Sequence, residues 1–352
     1  MQVVWNSFNG RYSDNPRVIY EAMQRLDQSH EHVWISNARH AANFPAHVST
    51  VPIGTPAARA VLEASDLLVA NCHITLESWR KRAGARYLQT WHGTPLKNIH
   101  RAAVGQPEPE TMDDLDDDIA RWDLLIAPSR AGGVLLADAF GYGGTILETG
   151  YPRNDLLNAT DRDERRRWLR DRLEIPENAT AILYAPTYRD DDVQEHDVAL
   201  HLDAAELTTR LGPDVHLLLR RHYFVDHRDP HPPGGRVHDV SSYSEISELY
   251  LAADVLVTDY SSAMFDFAVT GKPIVLFAYD LAHYRDTLRG FTFDLVEEAP
   301  GPIVETQSAL LDVLSDLPAV RAEWEQRYAE FRSRYCALED GHATERVLEY
   351  LA

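Results

Sequence analysis

Short apolar runs alternate with longer amphipathic stretches through most of this 352-residue chain. Such runs, separated by helix-sized amphipathic segments, are typical of βα units, in which buried parallel strands are covered by helices. The pattern therefore predicts an α/β protein in which both halves of the chain are doubly wound. The runs are residues 66–70, 87–91 and 124–127 in the first half, and 181–185, 215–219, 255–258 and 274–277 in the second.

The length of the chain suggests two domains of ordinary size. A segment with glycine and proline, 149–155, precedes a charged stretch, 161–172, and this order indicates a domain boundary followed by a helix. We therefore expect a first domain over residues 1–154 and a second over residues 155–320. Aromatic residues at helical spacing predict closing helices over about 321–352 that pack back on the first domain.

The chain is acidic, with 34 Lys and Arg against 55 Asp and Glu and a formal net charge of −21 at pH 7. A field of that sign disfavours nucleic-acid binding and broad adhesion to anionic membranes, but it leaves room for a local basic pocket. Cys72 and Cys336 lie far apart, which predicts neither a disulfide framework nor a cysteine zinc site. With no signal peptide or membrane-spanning run visible, we expect a cytoplasmic protein.

Ligands of open α/β sheets bind beyond the carboxyl ends of the strands, and several strand ends here carry reactive side chains. His92 follows the run 87–91, where it suits a general base, although a structural histidine is the alternative. Thr187 and Arg189 follow the run 181–185 and offer a hydroxyl and a guanidinium to phosphate oxygens. The alternative for Arg189 is pairing with the acidic residues beside it.

Two further strand ends point to an anion. Arg221 and His222 follow a buried run, where a charged group is costly without an anionic partner. Ser261 and Ser262 stand at the predicted start of a helix, whose free N–H groups and positive end suit a diphosphate. Asp266 lies on the same helical face, where a carboxylate can accept hydrogen bonds from polyol hydroxyls. A plain serine N-cap would explain one serine but not the whole set.

Taken together, these motifs resemble the CDP-glycerol glycerophosphotransferase family, the teichoic-acid primases and polymerases, which includes ribitol phosphate transferases. The resemblance covers nearly the whole chain, and an ordered set of motifs is more specific than any single one. The matching stretches are 6–17, 91–97, 150–155, 184–190, 220–224, 258–267 and 289–294, with 300–302 after the last.

The resemblance implies a GT-B architecture, in which two Rossmann-like domains face a central cleft, with the acceptor in the first and the donor in the second. It implies transfer of a polyol phosphate, foremost glycerol phosphate, from CDP-glycerol or CDP-ribitol to a hydroxyl of a teichoic acid, capsule or related glycan, releasing CMP. Attack occurs at phosphorus, so the site must stabilise charge on the phosphoryl oxygens. No tightly bound cofactor or metal triad is expected, while an ion bridging the diphosphate stays open.

The resemblance also implies roles for individual residues. His92 would deprotonate the acceptor hydroxyl, and His222 would act with it by offsetting charge on the leaving CMP. The implied donor-binding residues are Thr187, Arg189, Arg221, Thr258, Asp259, Ser261, Ser262 and Asp266, and the implied acceptor-side residues are Asn9, Gly10, Ser13, Gly93 and Thr94.

No basic amphipathic helix for anionic lipid is visible, so we expect at most peripheral contact with the inner membrane face. The acceptor would be a glycan, a lipid-linked glycan or a small molecule. Two alternatives stay open at this point. A GT-B glycosyltransferase or UDP-sugar 2-epimerase would share the fold and differ in its donor. A degenerate module kept for protein assembly would be inactive, which fits poorly with intact His92, His222 and Ser261–Ser262.

Overall fold

A computed structural model of the chain describes residues 1–74, 76, 79–103, 109–187, 201–221 and 235–351. These residues form two parallel sheets flanked by helices, which confirms the predicted α/β class. Each apolar run of the sequence overlaps a strand. No helix within the described ranges is long and apolar enough to cross a membrane.

The first sheet has the strand order β3-β2-β1-β4-β5-β6-β7, and every neighbouring pair is parallel. Its strands are β1 (Gln2–Asn6), β2 (Glu31–Ser36), β3 (Thr50–Pro52), β4 (Leu67–Ala70), β5 (Arg86–Gln89), β6 (Leu124–Ala127) and β7 (Thr145–Glu148). Its helices are α1 (Asp14–Leu26), α2 (Pro56–Ala64), α3 (Pro109–Ile119) and α4 (Arg130–Phe140). Ser129 caps the start of α4, and Gly141 ends that helix in the left-handed conformation that glycine tolerates.

The second sheet has the order β10-β9-β8-β11-β12-β13, again with parallel neighbours. Its strands are β8 (Thr180–Ala185), β9 (Val215–Leu219), β10 (Val237–Asp239), β11 (Val255–Thr258), β12 (Ile274–Phe277) and β13 (Ile303–Val304). The helices around it are α5 (Arg162–Arg172), α6 (Ala204–Leu211), α7 (Ile246–Ala252), α8 (Ala263–Ala268), α9 (Leu281–His283), α10 (Leu295–Glu298) and α11 (Gln307–Ser315). A 3₁₀ turn, Pro152–Leu157, joins the two halves.

The last two helices are α12 (Leu317–Tyr335) and α13 (Ala343–Leu351), and α12 packs on α8 of the second half and on α4 of the first. Phe331 and Tyr335 of α12 stack against Phe265 in the second half. Val347 and Leu351 of α13 are buried in the core of the first half, where α13 packs against α1 and the 152–157 turn. The chain therefore crosses back to its first half at its end.

Candidate active site

The loop after β5 carries His92 and lies directly against the second half of the molecule. A Cβ built on Gly93 would sit 2.5 Å from the Ser262 Oγ, so only glycine fits that approach. Further along the loop, the Thr292 N–H donates to the Leu96 carbonyl at 2.9 Å, and the Asn98 N–H donates to the Gly290 carbonyl at 3.2 Å. The fold thus brings the predicted base next to one of the predicted donor-binding serines.

His92 is held in the form that a general base requires. Its Nδ1 lies 2.5 Å from the Asn71 carbonyl oxygen, and because a carbonyl can only accept, Nδ1 carries the proton. The lone pair is therefore on Nε2. Burial lowers the pKa of His92 from 6.5 to about 4, so the ring is neutral at neutral pH. The ring also stacks on Trp91 at a centroid distance of 4.2 Å, which fixes its plane.

The turn that presents His92 is strained. Trp91 has φ 49°, a left-handed conformation that costs a bulky residue on the order of 1 kcal/mol or more. Two amide side chains hold it there: Gln89 Oε1 accepts from the Trp91 N–H at 2.9 Å, and Asn15 Nδ2 donates to the Trp91 carbonyl at 3.2 Å. Phe8 and Asp14 nearby are also left-handed. Such strain is common where a catalytic group must be placed accurately.

The predicted acceptor-side residues fall into different environments. Asn9 is exposed, and its side-chain oxygen accepts from Asn6 at 3.4 Å. Gly10 packs so closely on Asn37 that a Cβ would lie 2.3 Å from its backbone nitrogen. Ser13 and Thr94 are 3% and 1% exposed, and the Ser13 hydroxyl bonds with that of Ser7 at 3.1 Å. Gly10, Ser13 and Thr94 are thus buried in this structure, and their acceptor-side role stays a prediction.

On the donor side, the loop after β11 is ordered by two of the predicted residues. The Thr258 hydroxyl donates to the Ala185 carbonyl at 2.7 Å, which ties β11 to β8. Asp259 Oδ1 accepts from the backbone N–H groups of Thr187 at 2.8 Å and Tyr260 at 2.6 Å. Thr258 and Asp259 thus place Thr187 beside the serine loop, and their bonds are to protein groups.

The two serines differ. Ser261 Oγ accepts from the Ala263 N–H at 3.2 Å at the start of α8. The Ser262 hydroxyl, next to Gly93, makes no hydrogen bond with the described part of the chain. Arg221 is 8% exposed, and its backbone N–H donates to Ser241 Oγ at 2.9 Å. His222 and Arg189 lie outside the described residues.

Asp266, predicted to contact donor hydroxyls, is buried against the 152–157 turn. Both of its carboxylate oxygens are engaged by the 152–157 turn: Arg153 Nη2 donates at 2.7 Å and Asn154 Nδ2 at 2.9 Å. Burial raises the pKa of Asp266, while the Arg153 guanidinium opposes that shift. The hydrogen bonds of Asp266 in this structure are thus to protein groups, and its contact with donor hydroxyls stays a prediction.

Sequence reasoning missed the charged groups between the two halves. Arg153 Nη1 also donates to Asp14 Oδ2 at 2.9 Å, so one guanidinium joins two carboxylates. A second contact pairs Arg17 Nη1 with Glu245 Oε1 at 3.1 Å. The stretches 6–17 and 150–155 contain several of these residues, but charge alone did not reveal which of them meet.

Glu245 predicts a measurable pH dependence of stability. Burial raises its pKa from 4.5 to about 7. Between those values the unfolded chain loses this proton first, so the free energy of unfolding falls as pH rises and levels off above the folded pKa. Glutamine has no such proton. Relative to Glu245→Gln, we therefore expect wild type to lose about 3 kcal/mol of unfolding free energy between about pH 4 and about pH 8.

Urea denaturation of both proteins at the two pH values measures this difference. Glu349→Gln is the control, because Glu349 is exposed. The difference in unfolding free energy between wild type and Glu245→Gln should change with pH, and that for Glu349→Gln should not. If neither difference changes between the two pH values, the buried carboxyl does not titrate as described.

No group of three or more His, Cys, Asp and Glu side chains that could hold a metal occurs in the part of the chain that the structure describes. The site consists of a neutral imidazole, hydroxyls, backbone N–H groups and a buried guanidinium. These groups can accept a proton from a hydroxyl and hold an anion beside it.

Comparisons with known proteins agree on one family. Residues 1–352 match the family model of CDP-glycerol:poly(glycerophosphate) glycerophosphotransferases. The teichoic acid glycerol-phosphate transferase of Staphylococcus aureus is 38% identical over 99% of this chain and 92% of its own length. The teichoic acid poly(glycerol phosphate) polymerase of Bacillus subtilis is 35% identical over 98% of this chain, which spans about half (48%) of that longer protein.

Solved structures give the same result. The wall teichoic acid polymerase TagF, as a variant soaked with CDPG, superposes with a TM-score of 0.90 at 32% identity, covering 99% of this chain and 88% of that one. A UDP-GlcNAc 2-epimerase from Neisseria meningitidis, bound to UDP-GlcNAc, has a TM-score of 0.61 at 14% identity, covering 100% of this chain and 99% of that one. The second likeness shows a shared fold only.

Proposed function

The chain belongs to the CDP-glycerol:poly(glycerophosphate) glycerophosphotransferase family, and on that premise we propose that it transfers glycerol phosphate from CDP-glycerol to an acceptor hydroxyl and releases CMP. The observation that carries this proposal is the close approach of the His92 loop to Ser262: the Cβ position built on Gly93, directly after His92, lies 2.5 Å from Ser262 Oγ. A base and an anion-binding hydroxyl must lie side by side when a hydroxyl attacks phosphorus.

His92 acts on the acceptor. The acceptor hydroxyl donates to Nε2, which takes the proton while the oxygen attacks the phosphorus that bears glycerol. The new P–O bond joins acceptor and glycerol phosphate, and the P–O bond to CMP breaks. Because Nδ1 stays bonded to the Asn71 carbonyl, the ring cannot rotate away during the transfer.

The donor-side residues stabilise the charge that moves to CMP. Ser261, Ser262 and Thr187 offer hydroxyls beside the start of α8, and Arg221 contributes a fixed positive charge after β9. His222 and Arg189 are assigned to the same diphosphate from the family resemblance. Several donors share this role, because no single one neutralises the diphosphate.

The acceptor follows from the family. The relatives are named as teichoic acid enzymes that add glycerol phosphate, so we infer a hydroxyl of a teichoic acid or its glycan primer as acceptor. Such an acceptor on a lipid carrier would be met by peripheral contact with the inner membrane face. The epimerase alternative has only the shared fold in its favour.

A thermal-shift series tests the donor. A ligand that binds only the folded state raises its stability by mass action, by about 2.7 kcal/mol at a hundredfold excess over Kd. We expect stabilisation by CDP-glycerol, weaker stabilisation by CMP, and none by UDP-N-acetylglucosamine. Ser262→Ala should reduce the CDP-glycerol shift, and Ser315→Ala, on the distant α11, should not. A shift with uridine ligands alone would contradict the proposal.

A further inference from the structure

We propose that Arg153 is a positioning residue, which holds the His92 loop and the Ser262 loop in fixed register across the two halves of the molecule. The inference rests on the proposed function, because it concerns the base and the donor serine of that reaction. It assigns Arg153 no contact with substrate. Its basis is a set of bonds that converge on this one side chain.

The guanidinium itself spans the boundary. Nη1 donates to Asp14 at the start of α1 at 2.9 Å, and Nη2 donates to Asp266 in α8 at 2.7 Å. The side chain is 3% exposed, and it lies 4.8 Å over the Tyr151 ring. Two carboxylates on separate elements would repel each other if the cation between them were lost. Arg153 is therefore the group that allows α1 and α8 to approach.

The backbone of Arg153 reaches the His92 loop. Its N–H donates to Asn15 Oδ1 at 3.0 Å, and Asn15 Nδ2 donates to the Trp91 carbonyl at 3.2 Å. Trp91 is the left-handed residue directly before His92. Asn15 is fully buried, so both ends of its amide are committed to this chain of bonds. A shift of the 152–157 turn would therefore move Asn15, and with it the loop that carries His92.

The guanidinium also borders the Ser262 contact. The Cβ position built on Gly93 lies 4.0 Å from Arg153 Nη2 and 2.5 Å from Ser262 Oγ. Asp266, the partner of Nη2, is one helical turn after Ser262. The guanidinium thus lies near Gly93 and is bonded to α8 through Asp266.

Arg153 has an electrostatic effect on His92 that a purely structural arginine would lack. The charged and titratable groups that act on the imidazole are Asp14, which raises its pKa, and Arg153 and His73, which lower it. Removing the cation takes away one of the effects that lower the pKa, so His92 should bind its proton more readily. This gives a readout that general destabilisation does not change.

Lysine cannot replace the arginine fully. A guanidinium presents separate N–H groups to two carboxylates in a fixed plane, whereas an ammonium is a single point charge. In Arg153→Lys the charge beside His92 is retained, and one of the two carboxylate bonds is lost. Arg153→Met removes both the charge and the bonds. Comparing the two variants separates geometry from charge.

The experiment uses Arg153→Lys, Arg153→Met and the control Arg170→Lys. Arg170 is also a buried arginine paired with a carboxylate, Asp254, but its other bonds go to backbone carbonyls of the second half. Rates are measured as CMP release from CDP-glycerol with a glycerol phosphate-primed acceptor. The His92 titration is followed by NMR of the imidazole nitrogens, with His92→Gln assigning the signal.

We expect Arg153→Lys to lower kcat by about 10- to 100-fold with the KM for CDP-glycerol changed by less than about threefold, as misplacement of a base predicts. Its His92 midpoint should stay near that of wild type. In Arg153→Met the midpoint should rise. Arg170→Lys should retain both the rate and the midpoint, even if it is less stable.

The proposal is overturned if Arg153→Lys keeps the wild-type kcat, or if it loses no more activity than Arg170→Lys at equal stability. An unchanged His92 midpoint in folded Arg153→Met would contradict the electrostatic effect of Arg153 on His92. If that variant does not fold, the rate of the lysine variant alone decides the proposal. Failure of the proposed function has a different signature. Wild type would then release no CMP, while the NMR titration would still report on Arg153.

Discussion

The His92→Gln variant should transfer glycerol phosphate about 10²- to 10⁴-fold more slowly than wild type, which is the range that a positioned general base contributes. Glutamine can still donate to the Asn71 carbonyl, but it offers no basic lone pair to the acceptor. Binding of CDP-glycerol should be retained, because His92 acts on the acceptor. The kcat for CMP release measures the loss, and the thermal shift with CDP-glycerol checks that the donor site is intact.

A matched control is His342→Gln, since His342 is exposed and pairs with Glu345 on the surface. That variant should keep the wild-type rate. A His92→Gln enzyme that turns over within about threefold of wild type would show that the imidazole is not the base. The roles given to the Asn71 carbonyl and to the stacked Trp91 would then fall with it.

Gly93→Ala should lower kcat by about 10²-fold, although it adds a single methyl group. The new Cβ would lie 2.5 Å from Ser262 Oγ and 2.7 Å from Ser262 Cβ, so one loop must move. A displacement of about 1 Å between a base and a donor site costs about this factor in rate. The kcat for CMP release again measures the effect.

Gly84→Ala is the control for the general cost of replacing a glycine. Gly84 has φ 83°, and a Cβ built there meets no atom within 4 Å. Gly84→Ala should therefore lose stability through backbone strain and keep its rate. Equal rates for Gly93→Ala and wild type would mean that the His92 and Ser262 loops are not held in contact during catalysis.

Several of the strands that the sequence revealed have apolar residues that run without interruption. The sequence predicts β6, β11 and β12 as buried strands because nearly all of their residues are apolar. The exception is Thr258, whose hydroxyl bonds to a neighbouring strand. β1 and β2 were missed because they mix polar and aromatic residues. Trp5 Nε1 donates to His32 Nδ1 at 3.0 Å, and that pairing across strands lets a histidine be buried.

The candidate site was predictable where its chemistry follows one strand end. His92 and Ser262 could each be identified from residue type and position beyond a strand. The network at Arg153 could not, because its partners Asp14 and Asp266 lie 139 and 113 residues away along the chain. Local spacing placed Asp266 near Ser262, but only the fold showed that a buried cation takes up its charge.

The central claim is that this chain moves glycerol phosphate from CDP-glycerol to a hydroxyl. The most direct test incubates the protein with CDP-glycerol and a glycerol phosphate-primed teichoic acid acceptor, and follows CMP release and the acceptor mass together. The account predicts equal amounts of CMP and added glycerol phosphate units, with both lost in His92→Gln. Conversion of UDP-N-acetylglucosamine in a parallel reaction, with no CMP formed from CDP-glycerol, would contradict it.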